Sequence, residues 1–295
     1  MKTMIIAEVG NNHNGSIERA KKIVNELTSA GAEIIKFQIR NLETLYRNSK
    51  DCVEDLGVEY TKDLLNKYSL SISEHSEIAH YCSQKGVEYM CTPWDLESVE
   101  VLEDIGVKRY KVASADFDNI FLINRILDTK KPLILSTGMS HLNEIKSMIT
   151  YLNENNANFS LLHCNSTYPA PFLDIELNFI RTLKKLHSTI GYSSHERGIS
   201  IAVAAVAIGA DIIEKHITLD KQLEGPDHQA SITPTEFSHM IKMIQEVEEA
   251  MGTEEVLNKK LSQGALLNKE NLGKSIVASH KIKKGKILSE EDITV

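Results

Sequence analysis

A histidine stands at or just after the end of each of two short apolar segments, and the spacing of these histidines indicates a metal site. Residues 188–193 and 212–216 have the composition of buried strands, and the alanine-rich residues 199–208 between them are typical of a helix. A strand–helix–strand unit with short links makes its two strands parallel and neighbouring. His195 and His216 are therefore expected to emerge at the same end of one sheet. A lone histidine is usually structural, but this pair predicts two ligands of one divalent metal ion.

Two lysines lie inside apolar segments that have the pattern of buried strands. Lys36 interrupts residues 34–38, and Lys111 follows Tyr110 in the segment that ends at Val112. Most lysines face solvent, and a buried one costs several kcal/mol unless an anion pairs with it. The two together predict a phosphate or carboxylate pocket. Replacing either by methionine is expected to abolish anion binding and to leave the fold at least as stable.

The elements that position these residues alternate regularly along the chain. Apolar strand candidates are separated by amphipathic helical patterns such as residues 17–30, 96–104, 142–153 and 234–251. The strand candidates are residues 4–9, 34–38, 87–91, 109–112, 133–136, 160–163, 189–193 and 212–216. This order predicts an α/β protein with a (β/α)₈ barrel. An open doubly wound sheet is the alternative, but the segment from Gly10 to Gly15 lacks the G-x-G-x-x-G pattern of such folds.

Polar residues cluster just after the strand candidates, as the barrel hypothesis requires, because barrel active sites lie at the C-terminal face. The clusters include Glu8, Gln38, Thr92, Ser114, Ser136, Ser166 with Tyr168, and Ser193 with Glu214. Two long segments, residues 41–70 and 219–231, interrupt the pattern. Segments of this length are commonly substrate walls, and solvated insertions are the alternative.

Composition limits the class of protein and of partner. The chain has 295 residues, 42% hydrophobic and 25% charged residues and a net charge of −8. These values are typical of a soluble globular protein whose main partner is neither nucleic acid nor an anionic membrane. Four cysteines without CxxC spacing, Cys52, Cys82, Cys91 and Cys164, are expected to be reduced thiols. The apolar start is too short for a signal peptide, so a cytoplasmic location is expected.

Composition changes near residue 251. Residues 1–251 form the predicted barrel, residues 252–272 have the composition of a polar linker, and residues 273–295 predict two short strands, at 273–279 and 282–288, before a terminal turn. The last segment is too small to bury a core of its own, which indicates the beginning of an incomplete second domain.

Taken together, these segments resemble the sialic acid (N-acetylneuraminate) synthase family over residues 4–251. Nine motifs in order carry the resemblance: AEVGNNHNG from Ala7, KFQ from Lys36, CTP from Cys91, YKVAS from Tyr110, LSTGM from Leu135, LHCNSTYP from Leu162, SSH from Ser193, EKH from Glu214 and GPDH from Gly225. The C-terminal segment is similar to the start of the SAF (antifreeze-like) domain of that family.

The resemblance implies a transferase that forms a C–C bond between phosphoenolpyruvate and an N-acetylated amino sugar such as N-acetylmannosamine, giving a nine-carbon 2-keto acid and phosphate. It implies a homodimer and a Mn²⁺ or Mg²⁺ ion bound by His195 and His216, which would polarise the sugar aldehyde. The implied catalytic residues are Glu8, Lys36, Gln38, Lys111, Tyr168 and Asp227, and the implied substrate contacts are Thr92, Trp94, Ser114, Ser136, Ser166 and Ser193.

Three departures from the family pattern leave the sugar open. Ser194 occupies a position where many relatives carry Asp, which predicts a looser orientation of the neighbouring metal ligand. Trp94 replaces the usual Phe, and the segment after Arg40 does not follow the common sugar-contacting pattern. Legionaminic acid synthesis is therefore the alternative within the family, and a weakly active barrel module of a larger multidomain protein is the alternative outside it.

Overall fold

The first part of the chain is a closed barrel of eight parallel strands, each hydrogen-bonded to its neighbours in chain order. The computed structural model describes residues 2–45, 63, 65–252 and 260–295, and the chain divides into two compact units, Met1–Met251 and Gly252–Val295. β1 closes the barrel by pairing with both β2 and β8, which confirms the (β/α)₈ prediction over the open sheet. The strands are β1 Met4–Gly10, β2 Ile34–Ile39, β3 Glu88–Pro93, β4 Tyr110–Val112, β5 Leu133–Ser136, β6 Phe159–Cys164, β7 Ile190–Ser194 and β8 Ile212–His216.

Helices connect the strands and begin at residues with capping side chains. Ser16 accepts a hydrogen bond from the Arg19 amide at the start of the first helix. The helices of the first unit whose bounds lie within the described residues are α1 Ile17–Ser29, α2 Leu42–Leu45, α3 Ile72–Gln84, α4 Leu96–Ile105, α5 Ile120–Asp128, α6 Leu142–Glu154, α7 Phe179–Lys184, α8 Ser200–Ala207 and α9 Pro234–Met251. In the described residues, no helix has the length and apolarity needed to cross a membrane.

Side-chain alternation along the strands separates two apolar layers from one polar layer. Outward-facing residues form the large core between the strands and the helices. Inside the barrel, one apolar layer consists of Ile6, Ile34, Met90, Ile134, Leu162 and Ile212. Two residues further along the same strands, and therefore on the same inner face, are Glu8, Lys36, Thr92, Ser136, Cys164 and Glu214. The polar layer thus follows the apolar one toward the C-terminal mouth of the barrel.

The two long segments after β2 and β8 differ in how much of them the structure describes. Residues 46–62 and 64 of the first, with Cys52, lie outside the described residues. The second is hydrogen-bonded to the turn after β1: Asn12 donates to Ser231 Oγ at 2.8 Å, and Asn14 donates to the Glu224 carbonyl at 3.0 Å. These bonds hold the β8 segment beside the barrel mouth.

The second unit differs from the pattern predicted for it. Residues 263–272, predicted as linker, form a helix, α10 Gln263–Leu272, whose first turn is capped by Ser262. One strand is β9 Val277–Ala278, but it pairs antiparallel with β10 Ile293–Thr294 and not with residues 282–288. The residues before β10 are fixed by Asp292, which accepts hydrogen bonds from Ser289 and contacts His280 and Lys286. Three lysines and a glycine at positive φ favour a turn over a strand in residues 282–288.

Candidate active site

The polar layer surrounds a cavity of about 200 Å³ at the C-terminal mouth of the barrel. Every predicted site residue except Asp227 lines it. These residues are Glu8, Lys36, Gln38, Thr92, Trp94, Lys111, Ser114, Ser136, Ser166, Tyr168, Ser193, His195 and His216. Asp227 lies just behind them, with Oδ2 4.0 Å from Nδ1 of His216. Glu214, which the sequence places at a strand end without a role, also lines the cavity.

Lys36 is held between two carboxylates inside the barrel. Its Nζ lies 2.8 Å from Oε2 of Glu8 and 3.7 Å from Oε2 of Glu214, and it donates to Thr92 Oγ1 at 3.1 Å. The side chains of all three charged residues are at most 5% exposed. Burial lowers the pKa of Lys36, but the two carboxylates outweigh it and hold that pKa above its usual value. Lys36 is therefore a permanent positive charge, and its anionic partners belong to the chain itself.

Lys111 has weaker ionic partners than Lys36. It donates to Ser136 Oγ at 2.6 Å and to the Val112 carbonyl at 3.2 Å, while Oε1 of Glu214 is 3.8 Å away. Burial lowers the pKa of Lys111, and the carboxylate of Glu214 offsets this only in part. Its ammonium is therefore the less compensated of the two and favours an anion in the cavity.

The two buried carboxyl groups differ in acidity. Burial raises the pKa of Glu8 to about 7, against the opposing effect of Lys36. Burial also acts on Glu214, but Lys111 and Lys36 outweigh it and hold the pKa of Glu214 below its usual value. Glu214 is therefore a carboxylate at neutral pH, whereas Glu8 exchanges a proton near neutrality, as a general acid–base group must.

His195 and His216 lie together on neighbouring strands, as the sequence predicts, with their rings edge to face and their centroids 5.7 Å apart. Nδ1 of His195 donates to the Asn165 carbonyl at 2.5 Å, so its Nε2 carries the lone pair, and the Tyr168 hydroxyl lies 3.1 Å from that atom. Burial lowers the pKa of His195 to about 4 and that of His216 well below its usual value. Both rings are neutral imidazoles, the form that binds metals.

These two imidazoles fit a divalent ion that takes most of its ligands from water and substrate. Nδ1 of His216 is buried and lacks a hydrogen-bond partner among the residues that the structure describes. Within those residues, no group of three or more His, Cys, Asp or Glu side chains could hold a metal ion. A site with two nitrogen ligands and otherwise oxygen ligands suits octahedral ions such as Mn²⁺ better than Zn²⁺, which takes three or four protein ligands.

Ser194 does not line the cavity, and its expected effect on the orientation of His195 stays a prediction. Ser194 faces the outer layer, away from the cavity, and its hydroxyl donates to Oε1 of Glu196 at 2.6 Å and accepts from Lys215 at 2.9 Å. Successive strand residues point to opposite faces, so a side chain at 194 meets the outer layer and not the ring of His195.

Gln38 connects the wall of the cavity to Glu8. Its carbonyl oxygen accepts from Arg40 at 2.5 Å and from the Trp94 indole at 3.3 Å, which orients its amide nitrogen toward Oε1 of Glu8 at 2.8 Å. The guanidinium of Arg40 also lies over the Trp94 ring, 4.8 Å from its centroid. Arg40, which the sequence did not single out as a site residue, thus belongs to this wall.

The side of the cavity formed by β4, β5 and β6 depends on one close backbone approach. A side-chain carbon on Gly138 would lie 2.5 Å from Sγ of Cys164 and 2.6 Å from Oγ of Ser166, so only glycine fits there. The Gly138 amide donates to Ser114 Oγ at 3.1 Å. Burial raises the pKa of the Cys164 thiol, so it is an inert neighbour and not a nucleophile. Cys82, Cys91 and Cys164 are free and buried.

A closed barrel with two lysines, two carboxylates and two neutral histidines around one cavity at its C-terminal mouth defines a (β/α)₈ enzyme. The chain belongs to the NeuB family, whose model matches residues 23–256. It is 38% identical to the N,N'-diacetyllegionaminic acid synthase of Campylobacter jejuni, over 99% of this chain and 90% of that protein. It is 34% identical to human N-acetylneuraminate-9-phosphate synthase, over 99% and 82%.

A solved structure agrees with both the family and the fold. The chain is similar, with a TM-score of 0.83 and 32% identity, to the crystal structure of N-acetylneuraminic acid (sialic acid) synthetase from Leptospira borgpetersenii, over 92% of this chain and 93% of that one. The predicted family and the predicted class of enzyme, a sugar-acid synthase, are confirmed.

Proposed function

We propose that this protein condenses phosphoenolpyruvate with an open-chain N-acetylated amino sugar to give a nine-carbon 2-keto acid and phosphate. The observation that carries the proposal is the pair of buried lysines in one cavity, with the ammonium of Lys111 only partly compensated. A small trianion such as phosphoenolpyruvate supplies the missing negative charge. The hydroxyls of Thr92, Ser136 and Ser193 on the same cavity wall supply directional hydrogen bonds to its oxygens.

Glu8 is the group that moves protons in this proposal. Its pKa of about 7 lets it hold a proton near neutral pH, and an entering anion raises that pKa further because like charges repel. When C3 of phosphoenolpyruvate attacks the aldehyde carbon, Glu8 donates its proton to the aldehyde oxygen. Water then adds at C2 and Glu8 takes one proton from it. The C2–O bond to phosphate breaks, and the remaining hydroxyl proton at C2 passes to the departing phosphate to leave the 2-keto acid.

His195 and His216 would hold a divalent cation, whose chemical contribution when bound is Lewis-acid polarisation of the sugar aldehyde. The chain's own residues hold the imidazole rings in the tautomer and position that metal binding needs. The Asn165 carbonyl fixes the tautomer of His195, and Tyr168 stacks on the same ring with centroids 4.2 Å apart. Asp227, 4.0 Å from His216, has a pKa raised by burial to about 6 and so remains mostly ionised at neutral pH.

The sugar is proposed to lie against Trp94, Gln38 and Tyr168, at the open side of the cavity. N-acetylmannosamine and a diacetylated analogue that leads to legionaminic acid both fit the proposed reaction. The similarity to a synthase named for the diacetylated acid supports the second sugar. The similarity to a synthase named for N-acetylneuraminate 9-phosphate supports the first sugar or its 6-phosphate.

Phosphate release from phosphoenolpyruvate, measured with a panel of these sugars and Mn²⁺, tests the reaction. We expect release only when phosphoenolpyruvate, a sugar and metal are all present, with a nine-carbon keto acid detected by mass spectrometry. Lys111→Met, which removes the less compensated ammonium, should not release phosphate. Release at the same rate without any sugar would contradict the proposal, because it would indicate hydrolysis and not condensation.

Direct binding of Mn²⁺, measured by calorimetry without substrates, tests the metal site. His195→Ala and His216→Ala should each lose Mn²⁺ binding and nearly all turnover while keeping the thermal unfolding midpoint of the unmodified protein, because both residues lie at the catalytic face of the barrel. His80→Ala, on the exposed face of α3, is the matched control and should change neither. Unchanged Mn²⁺ affinity in both site variants would refute the assignment.

Three finer expectations stay predictions. A homodimer is expected and is checked by light scattering of the purified protein. An SAF-like nature of residues 273–295 is expected from the resemblance. A cytoplasmic location is expected from the short apolar start of the chain, and fractionation of cells that produce the protein checks it.

A further inference from the structure

Lys215 is a fully buried lysine that the proposed chemistry does not use. It precedes His216 on β8 and faces outward, into the layer between the barrel strands and the helices, where its exposed fraction is 0%. Apolar residues fill this layer elsewhere: Ile213, two residues earlier on the same face, belongs to the outer core. A charged side chain in such a layer costs free energy, so its presence requires a reason.

Every polar partner of Lys215 that the structure shows comes from β7 or from the turn that follows it. Its Nζ donates to Ser194 Oγ at 2.9 Å and to the carbonyl oxygen of Glu196, and it lies 3.9 Å from Oε1 of Glu196. The carboxylate of Glu196 also accepts from Ser194 at 2.6 Å and from the Tyr192 hydroxyl at 2.7 Å. We define Tyr192, Ser194, Glu196 and Lys215 as the outer polar cluster.

The members of the outer polar cluster alternate in sequence with residues of the cavity. Ser194 and Glu196 flank His195, and Lys215 lies between Glu214 and His216. Ser194 and Lys215 are also direct partners in the pairing of β7 with β8. Because neighbouring residues share a backbone, a bond that fixes the outward side chains also fixes the directions in which the two histidines point inward.

Stability alone does not account for this arrangement. A buried ion pair contributes little net stability, and well-packed apolar residues of similar volume replace such pairs without loss. An apolar pair does not supply directional hydrogen bonds. The ammonium of Lys215 does, because it donates to a hydroxyl and to a backbone carbonyl on either side of His195. Groups behind metal ligands that hold them in this way affect metal affinity strongly.

We infer that Lys215, through its bonds to Ser194 and Glu196, is a positioning residue that sets the spacing and orientation of His195 and His216. The inference rests on the proposed role of these histidines as metal ligands. It assigns Lys215 no contact with substrate or metal and no proton transfer. Its predicted effect is on the affinity for the divalent ion, and its effect on turnover follows from that affinity.

Calorimetric titration with Mn²⁺, without substrates, tests the inference on the full chain. Lys215→Met and Glu196→Gln are each expected to weaken Mn²⁺ binding about 10- to 100-fold, the usual loss when a group behind a metal ligand is removed. Phosphoenolpyruvate binding measured without metal should not change, because the lysines of the cavity are untouched. Equal Mn²⁺ affinity in both variants and in the unmodified protein would overturn the inference.

A control for the same pair of strands is available at their opposite ends. Lys184 donates to Oδ2 of Asp211 at 2.6 Å, and that oxygen also accepts from the Ile190 amide at 2.9 Å, so this ion pair ties the N-terminal ends of β7 and β8. Lys184→Met should lower the thermal unfolding midpoint without changing Mn²⁺ affinity. A loss of Mn²⁺ affinity equal to that of Lys215→Met would show a general effect of strand pairing and would overturn the inference.

A charge-relocation variant separates positioning from folding. Glu196→Gln combined with Ser194→Asp moves the carboxylate to the residue that already contacts Lys215 at 2.9 Å. We expect this double variant to recover most of the Mn²⁺ affinity that Glu196→Gln loses. Recovery of the thermal unfolding midpoint without recovery of Mn²⁺ affinity would overturn the inference. This test does not use Lys215→Met, so it decides the inference even if that variant does not fold.

The same titrations distinguish a failure of the inference from a failure of the proposed function. If the unmodified protein binds no Mn²⁺, the proposed metal site is wrong, and the positioning role of Lys215 toward it is wrong as well. If the unmodified protein binds Mn²⁺ and His195→Ala abolishes this binding, the metal site stands, and the variants of the outer polar cluster then decide the inference alone.

Discussion

Lys36 is the residue on which the electrostatics of the cavity depend most. It is the ionic partner of two buried carboxylates, Glu8 at 2.8 Å and Glu214 at 3.7 Å. From the sequence, a buried lysine without a visible partner is a desolvated charge whose removal is expected to cost no stability. The structure reverses this expectation, because the loss of Lys36 leaves carboxylates buried without it.

Lys36→Met should therefore lower the free energy of unfolding by several kcal/mol, the usual cost of removing one partner of a buried pair. Lys111→Met should lower it less, because Lys111 is 3.8 Å from its carboxylate and its main contact is the Ser136 hydroxyl. Urea unfolding at neutral pH gives both values. Equal loss in the two variants would contradict this order, and Lys36→Met combined with Glu8→Gln should recover part of the loss.

Glu8 should leave a distinct signature in the pH dependence of stability. Its pKa is raised from 4.5 to about 7 in the folded protein, chiefly by burial. A carboxyl group with a raised folded-state pKa contributes stability that is fully present below the unfolded pKa and is lost as pH rises through the folded pKa. The relevant window is therefore from about pH 4.5 to about pH 7.

Glu8→Gln cannot ionise, so its stability relative to the unmodified protein should increase as pH rises through this window, by up to a few kcal/mol. Denaturant unfolding of both proteins at several pH values measures the difference. A difference that is constant with pH would show that Glu8 is not the buried acid proposed here.

At the scale of single residues, the sequence predicted the members of the cavity better than their partners. A lysine in an apolar strand and two histidines at strand ends are visible from residue type and period alone. Glu214 as a second ionic partner of Lys36, and Asn165 as the acceptor for His195, depend on which strands are neighbours and on the path of a turn. No local pattern in a sequence fixes either.

At the scale of elements, the C-terminal end of β1 brings the backbone close to three site residues at once. Gly10 has φ of +53°, and a side-chain carbon there would lie 3.2 Å from Cε1 of His216 and 3.3 Å from both Nε2 of Gln38 and Oε1 of Glu8. Gly106, at the end of α4, has φ of +82° with nothing within 4 Å of the same position. Both glycines have a positive φ, but only Gly10 has neighbouring atoms close to the position of a side-chain carbon.

Gly10→Ala and Gly106→Ala should each cost about 1 kcal/mol of stability, the usual penalty for a non-glycine residue in the left-handed region. Only Gly10→Ala should also lower turnover strongly. Its methyl group displaces side chains whose positions the reaction requires to within tenths of an ångström. Thermal unfolding and the phosphate-release assay measure the two effects. Equal turnover in both variants would show that the end of β1 tolerates the displacement.

Helices and strands were predictable from the sequence where apolar residues recur with a strong period and a capping residue marks the start. They were poorly predictable elsewhere. The strands of the barrel and helices such as α9 follow from apolar period and from start signals such as Thr233–Pro234, which the structure shows as a capping pair with Glu236. In the second unit, β10 has two residues and is fixed by contacts of Asp292. Side-chain contacts of this kind override a weak strand preference in residues 282–288.

At the scale of the whole molecule, the net charge and the cavity act on the substrate in opposite directions. A net charge of −8 disfavours a trianion at long range, but salt at physiological strength screens charges beyond about 8 Å. Within that distance the partly compensated ammonium of Lys111 favours an anion. Every described residue that lines the cavity lies between Glu8 and His216, within the unit Met1–Met251.

A chain that ends at Met251 should therefore bind phosphoenolpyruvate and Mn²⁺ with the affinities of the 295-residue chain. It keeps all of α9, and the layers of apolar residues inside and outside the barrel come from the same unit. Calorimetric titration of both chains measures these affinities, and Lys111→Met in the shortened chain should abolish phosphoenolpyruvate binding there too. A tenfold loss on shortening, about 1.4 kcal/mol, would show that residues 252–295 contribute to the anion site. Unchanged binding of both ligands with a raised KM for the amino sugar would instead show that residues 252–295 contribute to sugar binding. The proposed sugar contacts, at the open side of the cavity, are the least enclosed.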